Sequence, residues 1–467
     1  MSTGGSEPTP IPHSPLSDVI SDRFRIFWEL FAKDPAVRYS LLSKLVAFGF
    51  GPFVILFVGA FMSPEEQGVY YVFGSLLQLR TFIDLGFSQS AQQLLAHAFS
   101  SLAFHRTQGI RGEKERLDAY LSIGRLVVHI YLWLGFATLL LLGLGGYLYL
   151  TSTLKDLSID WKGPWWAMIL SLGLSIGFQG FVTVSDSANL IAETNKWRFF
   201  SECAGIVVFL AFLGSGGGLW ASSALSWARS LVLALPITAT LGGLVIRQIM
   251  TSRKLSADYL RGIAPLQARN MVAYGMGFVV FYLYNPMALS ISGALSAGLI
   301  GMSLQINNMV LNLSTTWINS KIPLMGNLAG SGAEPELLAL HDKGLAITVL
   351  SWLGASLAVL AAAFAGKLFW PEIGSRYATL PVLACFVMGG LGQTWSHLRA
   401  SYIRAHRIEP FAMLSIFQGL LTVALLWLLL PQHSVGGASA AFIISMATSA
   451  LWVEVTFRRY RKHFTGI

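Results

Sequence analysis

The chain has 467 residues, of which 54% are hydrophobic and only 12% charged, with a net charge of +9. Soluble domains carry about 25% charged residues, so so few charges cannot cover a large water-soluble core. The two cysteines, Cys203 and Cys385, lie in apolar stretches and read as small packing residues rather than a disulfide.

The first residues are polar and carry Pro8, Pro10, Pro12 and Pro15, a pattern expected to be disordered and lacking a cleavable signal. Residues 18–33 place Ile20, Phe24, Phe27, Trp28 and Phe31 on one helical face. They read as an amphipathic helix lying at a membrane interface or packed on the ends of a bundle. A spanning helix needs about 20 mostly apolar residues. Six candidate spans follow, at 41–62, 68–97, 119–149, 164–191, 199–213 and 219–246. Six more lie at 271–287, 295–317, 345–369, 377–397, 411–430 and 435–455.

The connectors between these spans alternate in charge. Of 32 Lys and Arg, 24 fall on one side of the twelve-span order and Lys155, Lys162, Lys367 and Arg376 on the other. Basic loops stay in the cytoplasm, so both termini are expected there. The same rule accounts for the net positive charge without nucleic acid. Trp161, Trp165, Trp166, Trp220 and Trp370 gather towards the opposite face, as an interfacial aromatic belt does. The expected architecture is an all-α polytopic membrane protein with about 12 spans in two six-helix lobes around a central cavity. Its expected segments are a cytoplasmic tail (1–38), a first lobe (39–246), a cytoplasmic linker (247–269), a second lobe (270–457) and a basic tail (458–467). GSLLQL at 74–79 and GMSLQI at 301–306 occupy the second span of each half, consistent with a parallel duplication.

Ionisable residues inside spans are costly and mark cavities or partners. The interior cations are Lys44, Arg80, Arg125 and Arg229, with Arg125 and Arg399 near span ends where they snorkel. The interior acids are Asp84, Asp186 and Glu202, with Glu454 near an end. Polar residues recur at helical spacing in four even-numbered spans: Arg80, Asp84, Ser88 and Gln92; Gln179, Thr183 and Asp186; Asn308, Asn312, Thr315 and Asn319; Gln393, His397 and Ser401. A shared cavity explains all four stripes. Interhelical hydrogen-bonding, worth about 0.6 kcal/mol per contact, explains each singly, and Arg80 with Asp84 also reads as a structural ion pair. Pro52 interrupts the first span and reads as a hinge or a static kink. No P-loop, metal-ligand cluster or long extracytoplasmic loop stands in the sequence, so an enzyme is not expected and no cofactor is implied.

The stretch GVYYVFGSLLQLRTFIDLGF at 68–87 resembles Wzx-type polysaccharide flippases. In those proteins the second helix opens with a Gly-aromatic element, here Gly68, Val69 and Tyr70, after a short acidic loop, here Pro64, Glu65 and Glu66. It then carries an Asp-Leu-Gly element, here Asp84, Leu85 and Gly86. Residues 264–267 and 323–326 resemble the start of that family's second lobe. The resemblance implies the multidrug/oligosaccharidyl-lipid/polysaccharide exporter superfamily and alternating access. It also implies undecaprenyl-pyrophosphate-linked oligosaccharide as substrate, moved to the periplasmic leaflet of a bacterial inner membrane. A polysaccharide polymerase or glycosyltransferases would be further partners beside the membrane lipids. A cationic cavity of Lys44, Arg80 and Arg229 fits the family, with Asn308, Asn312, Gln179 and Gln393 for the sugars. Asp84 and Asp186 are the candidates for ion coupling. The competing readings are an ion-coupled drug or metabolite exporter and a non-transporting scaffold of a synthesis complex.

Overall fold

The computed structural model describes residues 35–80, 87–105, 108–155, 157–251, 276–406 and 408–465. The expected disorder before residue 16, the amphipathic helix at 18–33, Asp84 and most of the 247–269 linker lie outside these residues.

The first half opens with α1 (Pro35–Phe61), α2 (Pro64–Leu77) and α3 (Phe87–Phe99). A short hairpin, β1 (Ala103–His105) and β2 (Gly109–Arg111), leads to α4 (Lys114–Ala137), a π-helical turn at Thr138–Leu142 and α5 (Gly143–Thr153). The half closes with α6 (Lys162–Ser187), α7 (Ile191–Gly214) and α8 (Trp220–Thr251). The second half holds α9 (Tyr284–Gly330), α10 (Glu334–Phe369), the single turn α11 (Pro371–Gly374), α12 (Leu380–Ala405) and α13 (Ala412–Thr465).

Seven helices among the described residues are long and apolar enough to cross a membrane. Two of them are broken by one non-helical residue each, Gly293 in α9 (φ 85°) and Ser434 in α13 (φ 47°). Each therefore supplies two crossings. With α2–α3, α8 and α12 they complete the two sets of six read from the sequence. Gly293 makes a one-residue reversal because glycine alone enters positive φ without steric cost. The outer surface carries large apolar side chains such as Trp133 and Leu141, 69% and 73% exposed. Such a surface suits hydrocarbon rather than water.

Several boundaries differ from the sequence reading. Pro64, Glu65 and Glu66 are not a loop but the first turn of α2. Ser63 Oγ accepts from the Glu66 amide at 3.1 Å, and Glu66 Oε2 accepts from the Ser63 amide at 2.9 Å. This capping box satisfies orphan donors at the helix start. The short span at 199–213 is the apolar end of the 24-residue α7, whose first turns carry Glu193, Lys196 and Arg198. Helix α8 continues to Thr251, so the linker's first residues are helical, and α13 continues through the basic tail to Thr465. Nothing in the sequence marks the hairpin, since strands of three residues leave no alternation to read.

Within the first half α1 packs on α7, α7 on α8, and α6 on α4 and α8; within the second, α9 packs on α10 and α12, and α12 on α13. The halves meet chiefly along α2 and α9. Side-chain-sized atoms are missing where the backbones touch. A Cβ on Gly68 would collide with the Ala294 carbonyl, and one on Gly301 with the Tyr71 ring. Among the described residues, hydrogen bonds between the halves gather towards the end holding the 62–63 turn and Gly293. Gln67 Nε2 donates to the carbonyls of Gly298 (3.0 Å) and Arg376 (2.8 Å). Asn285 Nδ2 donates to Ser75 Oγ at 2.9 Å, and the Tyr149 hydroxyl donates to the Pro286 carbonyl at 2.6 Å. This end of the bundle is closed.

Candidate functional site

Below the closed end the two halves part around a cavity of about 460 Å³. One face of α2 runs through both regions. It touches α9 at Gln67 and Gly68, then lines the cavity from Tyr70 and Tyr71 through Ser75 and Gln78. The helical repeat of 3.6 residues keeps these positions on one side. Arg80 follows directly beyond α2 and also lines the cavity.

The opposite wall comes from the second half, through Asn285, Gly301, Leu304, Gln305 and Asn308. Four of these recur at three- and four-residue spacing on α9, which sets them on one stripe. The third wall is α8, with Ser222, Ser226, Arg229 and Ser230. Ser226 and Ser230 each share a hydrogen bond with Ser171 of α6, at 3.0 and 3.1 Å. These pairs hold α8 against α6 and leave Arg229 at the cavity.

Arg80 and Arg229 are the charged members of the described lining. Arg229 is not isolated. Its Nη2 lies 2.6 Å from Glu202 Oε2 on α7. Arg229 Nε is buried and has no hydrogen-bond partner in the structure, so the guanidinium fork is only partly used. A guanidinium presents five donors in a fork that matches carboxylate and phosphate oxygens. Two such groups at one cavity can replace part of the hydration of a doubly charged anion, while the Gln, Asn and Ser side chains offer neutral hydrogen bonds.

The sequence-derived candidates divide. Arg80, Arg229 and Asn308 line the cavity. Lys44, Gln179, Asn312 and Gln393 are not part of its described lining; Lys44 is exposed on α1, and Asn312 lies exposed one turn beyond Asn308. Asp186 sits at the end of α6, where its Oδ2 accepts from Arg198 Nη2 at 2.9 Å. It joins α6 to α7 rather than facing the cavity. The α12 stripe also turns to a neighbour. His397 Nε2 and Asn319 Oδ1 are 2.7 Å apart, tying α12 to α9 as interhelical hydrogen bonds do. Arg399 does not snorkel. It is 8% exposed and its Nε donates to Glu454 Oε2 at 2.9 Å. Gln78, Asn285, Gln305 and the α8 serines also line the cavity, and hydropathy and charge along the chain do not single them out. The four-residue spacing of Ser222, Ser226 and Ser230 was the available signal.

No family model and no curated protein sequence matches the chain. Solved structures do. An inward-facing multidrug resistance MATE family transporter of the MOP superfamily is 12% identical, with a TM-score of 0.66 over 92% of this chain and 98% of that one. The lipid II flippase MurJ in an inward closed conformation is 11% identical, with a TM-score of 0.62 over 90% and 87%. An outward-facing MATE family transporter is 13% identical, with a TM-score of 0.53 over 92% and 96%. At such identities the likeness is one of fold: this chain shares the all-α membrane fold of these structures.

Proposed function

We propose that the chain is a flippase that moves an anionic lipid-linked oligosaccharide, of the undecaprenyl-pyrophosphate class, from the cytoplasmic to the periplasmic leaflet. The observation that carries this reading is the cavity between the halves whose charged lining residues are two arginines. A bare pyrophosphate cannot cross hydrocarbon, and charge-assisted hydrogen bonds to guanidinium are among the strongest replacements for its hydration. About 460 Å³ falls within the roughly 300–1,000 Å³ of small-molecule sites. It suits a head group, with the polyprenyl tail left in the bilayer.

The cation asymmetry of the connectors supports an inner-membrane orientation with both termini cytoplasmic. In that orientation the closed end faces the periplasm, and the cavity is poised to load from the cytoplasm. The higher similarity to the inward-facing transporter than to the outward-facing one fits that state. A polysaccharide polymerase or glycosyltransferases would take or supply the substrate. The second reading is export of drugs or metabolites, favoured by the MATE neighbours. Cationic drugs suit net acid, whereas these lining charges are positive.

The test is flipping of a fluorescent lipid-linked oligosaccharide by the full chain in vesicles. Arg80→Ala removes one charge-assisted contact, worth about 1.5–3 kcal/mol, and should weaken substrate affinity roughly ten- to a hundredfold. Arg80→Lys, with charge but no fork, should fall between. Unchanged flipping by folded Arg80→Ala and Arg229→Ala proteins would reject this function.

A further inference from the structure

A second concave surface lies apart from the central cavity, between α12 and the second part of α13. A Cβ on Gly392 would stand 2.7 Å from the Met446 carbonyl oxygen, so the two helices touch backbone to backbone at this crossing. Outside the contact they leave a groove of about 500 Å³. Met388, Leu391 and Trp395 form one wall, and Ile443, Ala447 and Leu451 the other. None of these lines the central cavity. Leu451 is 70% exposed, so in a bilayer the groove faces hydrocarbon.

The groove has a polar end. Glu454 accepts from Trp395 Nε1 at 3.1 Å, from Arg399 Nε at 2.9 Å and from Arg458 Nε at 2.8 Å. Arg399 is buried, with its guanidinium carbon 4.9 and 4.2 Å from the Trp395 and Phe457 ring centroids. It is the internal counter-ion of Glu454. Arg458 is exposed, with 74% of its side chain accessible, and adds a cation beyond that neutral pair. Arg461 and Lys462 follow, both exposed. Ile443, Ala447, Leu451, Glu454, Arg458 and Arg461 recur every three or four residues, so they form one stripe of α13. An apolar trough thus runs straight into excess positive charge.

The length fits one leaflet. Ile443 and Glu454 are eleven helical steps apart, about 16 Å at 1.5 Å per residue. Half of a hydrocarbon core is about 15 Å. We infer that the α12–α13 groove binds an anionic glycerophospholipid of the cytoplasmic leaflet, with one acyl chain along Ala447 and Leu451 and its head group on Arg458 and Lys462. This rests on the membrane-spanning reading and not on the transported substrate.

The experiment uses the full chain purified in detergent, with native mass spectrometry of added phosphatidylglycerol and phosphatidylcholine. Wild type should retain phosphatidylglycerol in preference to phosphatidylcholine. Ala447 is exposed, so Ala447→Phe fills the groove from outside the packed core and should abolish the retained lipid; Ala450→Leu serves if that protein aggregates. Arg458→Gln with Lys462→Gln should lower the preference about fivefold per cation removed. Wild-type retention by a groove-filling variant of unchanged Tm would overturn the site. So would an unchanged lipid preference in the charge variant, or displacement by polyprenyl phosphate at lower concentration than by phosphatidylglycerol. Flipping activity need not change for any of these results to count.

Discussion

Arg229 and Glu202 form an ion pair of 2.6 Å between α8 and α7, and only the arginine lines the cavity. The carboxylate therefore stands behind the cation and competes with an arriving anion for the same fork. The two side chains are 36% and 24% accessible, so leaving one partner alone costs less than the roughly 3–5 kcal/mol of a fully buried pair.

Glu202→Gln should relieve that competition. Pyrophosphate, measured by calorimetry on detergent-purified protein, should bind several-fold more tightly than to wild type. A weaker binding would mean that Glu202 serves to position Arg229 instead. Arg229→Ala alone should lose stability because Glu202 is stranded. Arg229→Ala with Glu202→Gln should recover Tm but not pyrophosphate binding, a non-additivity that a double-mutant cycle measures directly.

The closed end depends on contacts too tight for side chains. Gly68→Leu, placed against the Ala294 carbonyl, should hold the halves apart there. A cysteine at Ser75, which lines the cavity, should then be labelled by a membrane-impermeant maleimide from outside intact cells, faster than in the parent. Gln67→Ala loses two donated hydrogen bonds across the seam. It should give a smaller increase in the same direction, since each is worth about 0.5–1.5 kcal/mol net. Equal labelling in all three proteins would show that this seam does not gate the cavity.

Asp186 and Asp84 should separate in their effects on coupling. Asp186 is bonded to Arg198 at 2.9 Å and has no place in the cavity lining. Asp186→Asn should lower Tm yet leave the response of flipping to imposed pH or sodium gradients intact. Asp84, four residues beyond the cavity-lining Arg80, is the stronger coupling proposal. Asp84→Asn should abolish gradient dependence while some flipping persists. Full gradient response in both variants would remove both acids from the coupling mechanism.

Topology is checked independently of transport. A cysteine at position 255, in the basic 247–269 segment, should be labelled only after the membrane is permeabilised. One placed at Gly216, between α7 and α8, should be labelled in intact cells. The reverse pattern would invert the molecule and its direction of transport.

The sequence by itself determined the number of crossings and their grouping, because hydropathy over about 20 residues and the alternation of Lys and Arg are local properties. It also marked Arg80, Arg229 and Asn308, since charge and amide groups inside apolar helices stand out without knowledge of neighbours. Which polar stripe faces which partner was decided only by tertiary structure. Asn308 opens on the cavity, while Asn319 on the same helix meets His397 of α12. Asp186 and Glu202 looked alike along the chain. Packing set one against Arg198, away from the cavity, and the other against the cavity arginine. The period of a helix says which residues share a face; what that face meets depends on the rotation and crossing of helices far apart in sequence. For the same reason Gly68 and Gly301 were readable as motif residues, but their role in closing one end emerged only when α2 lay against α9.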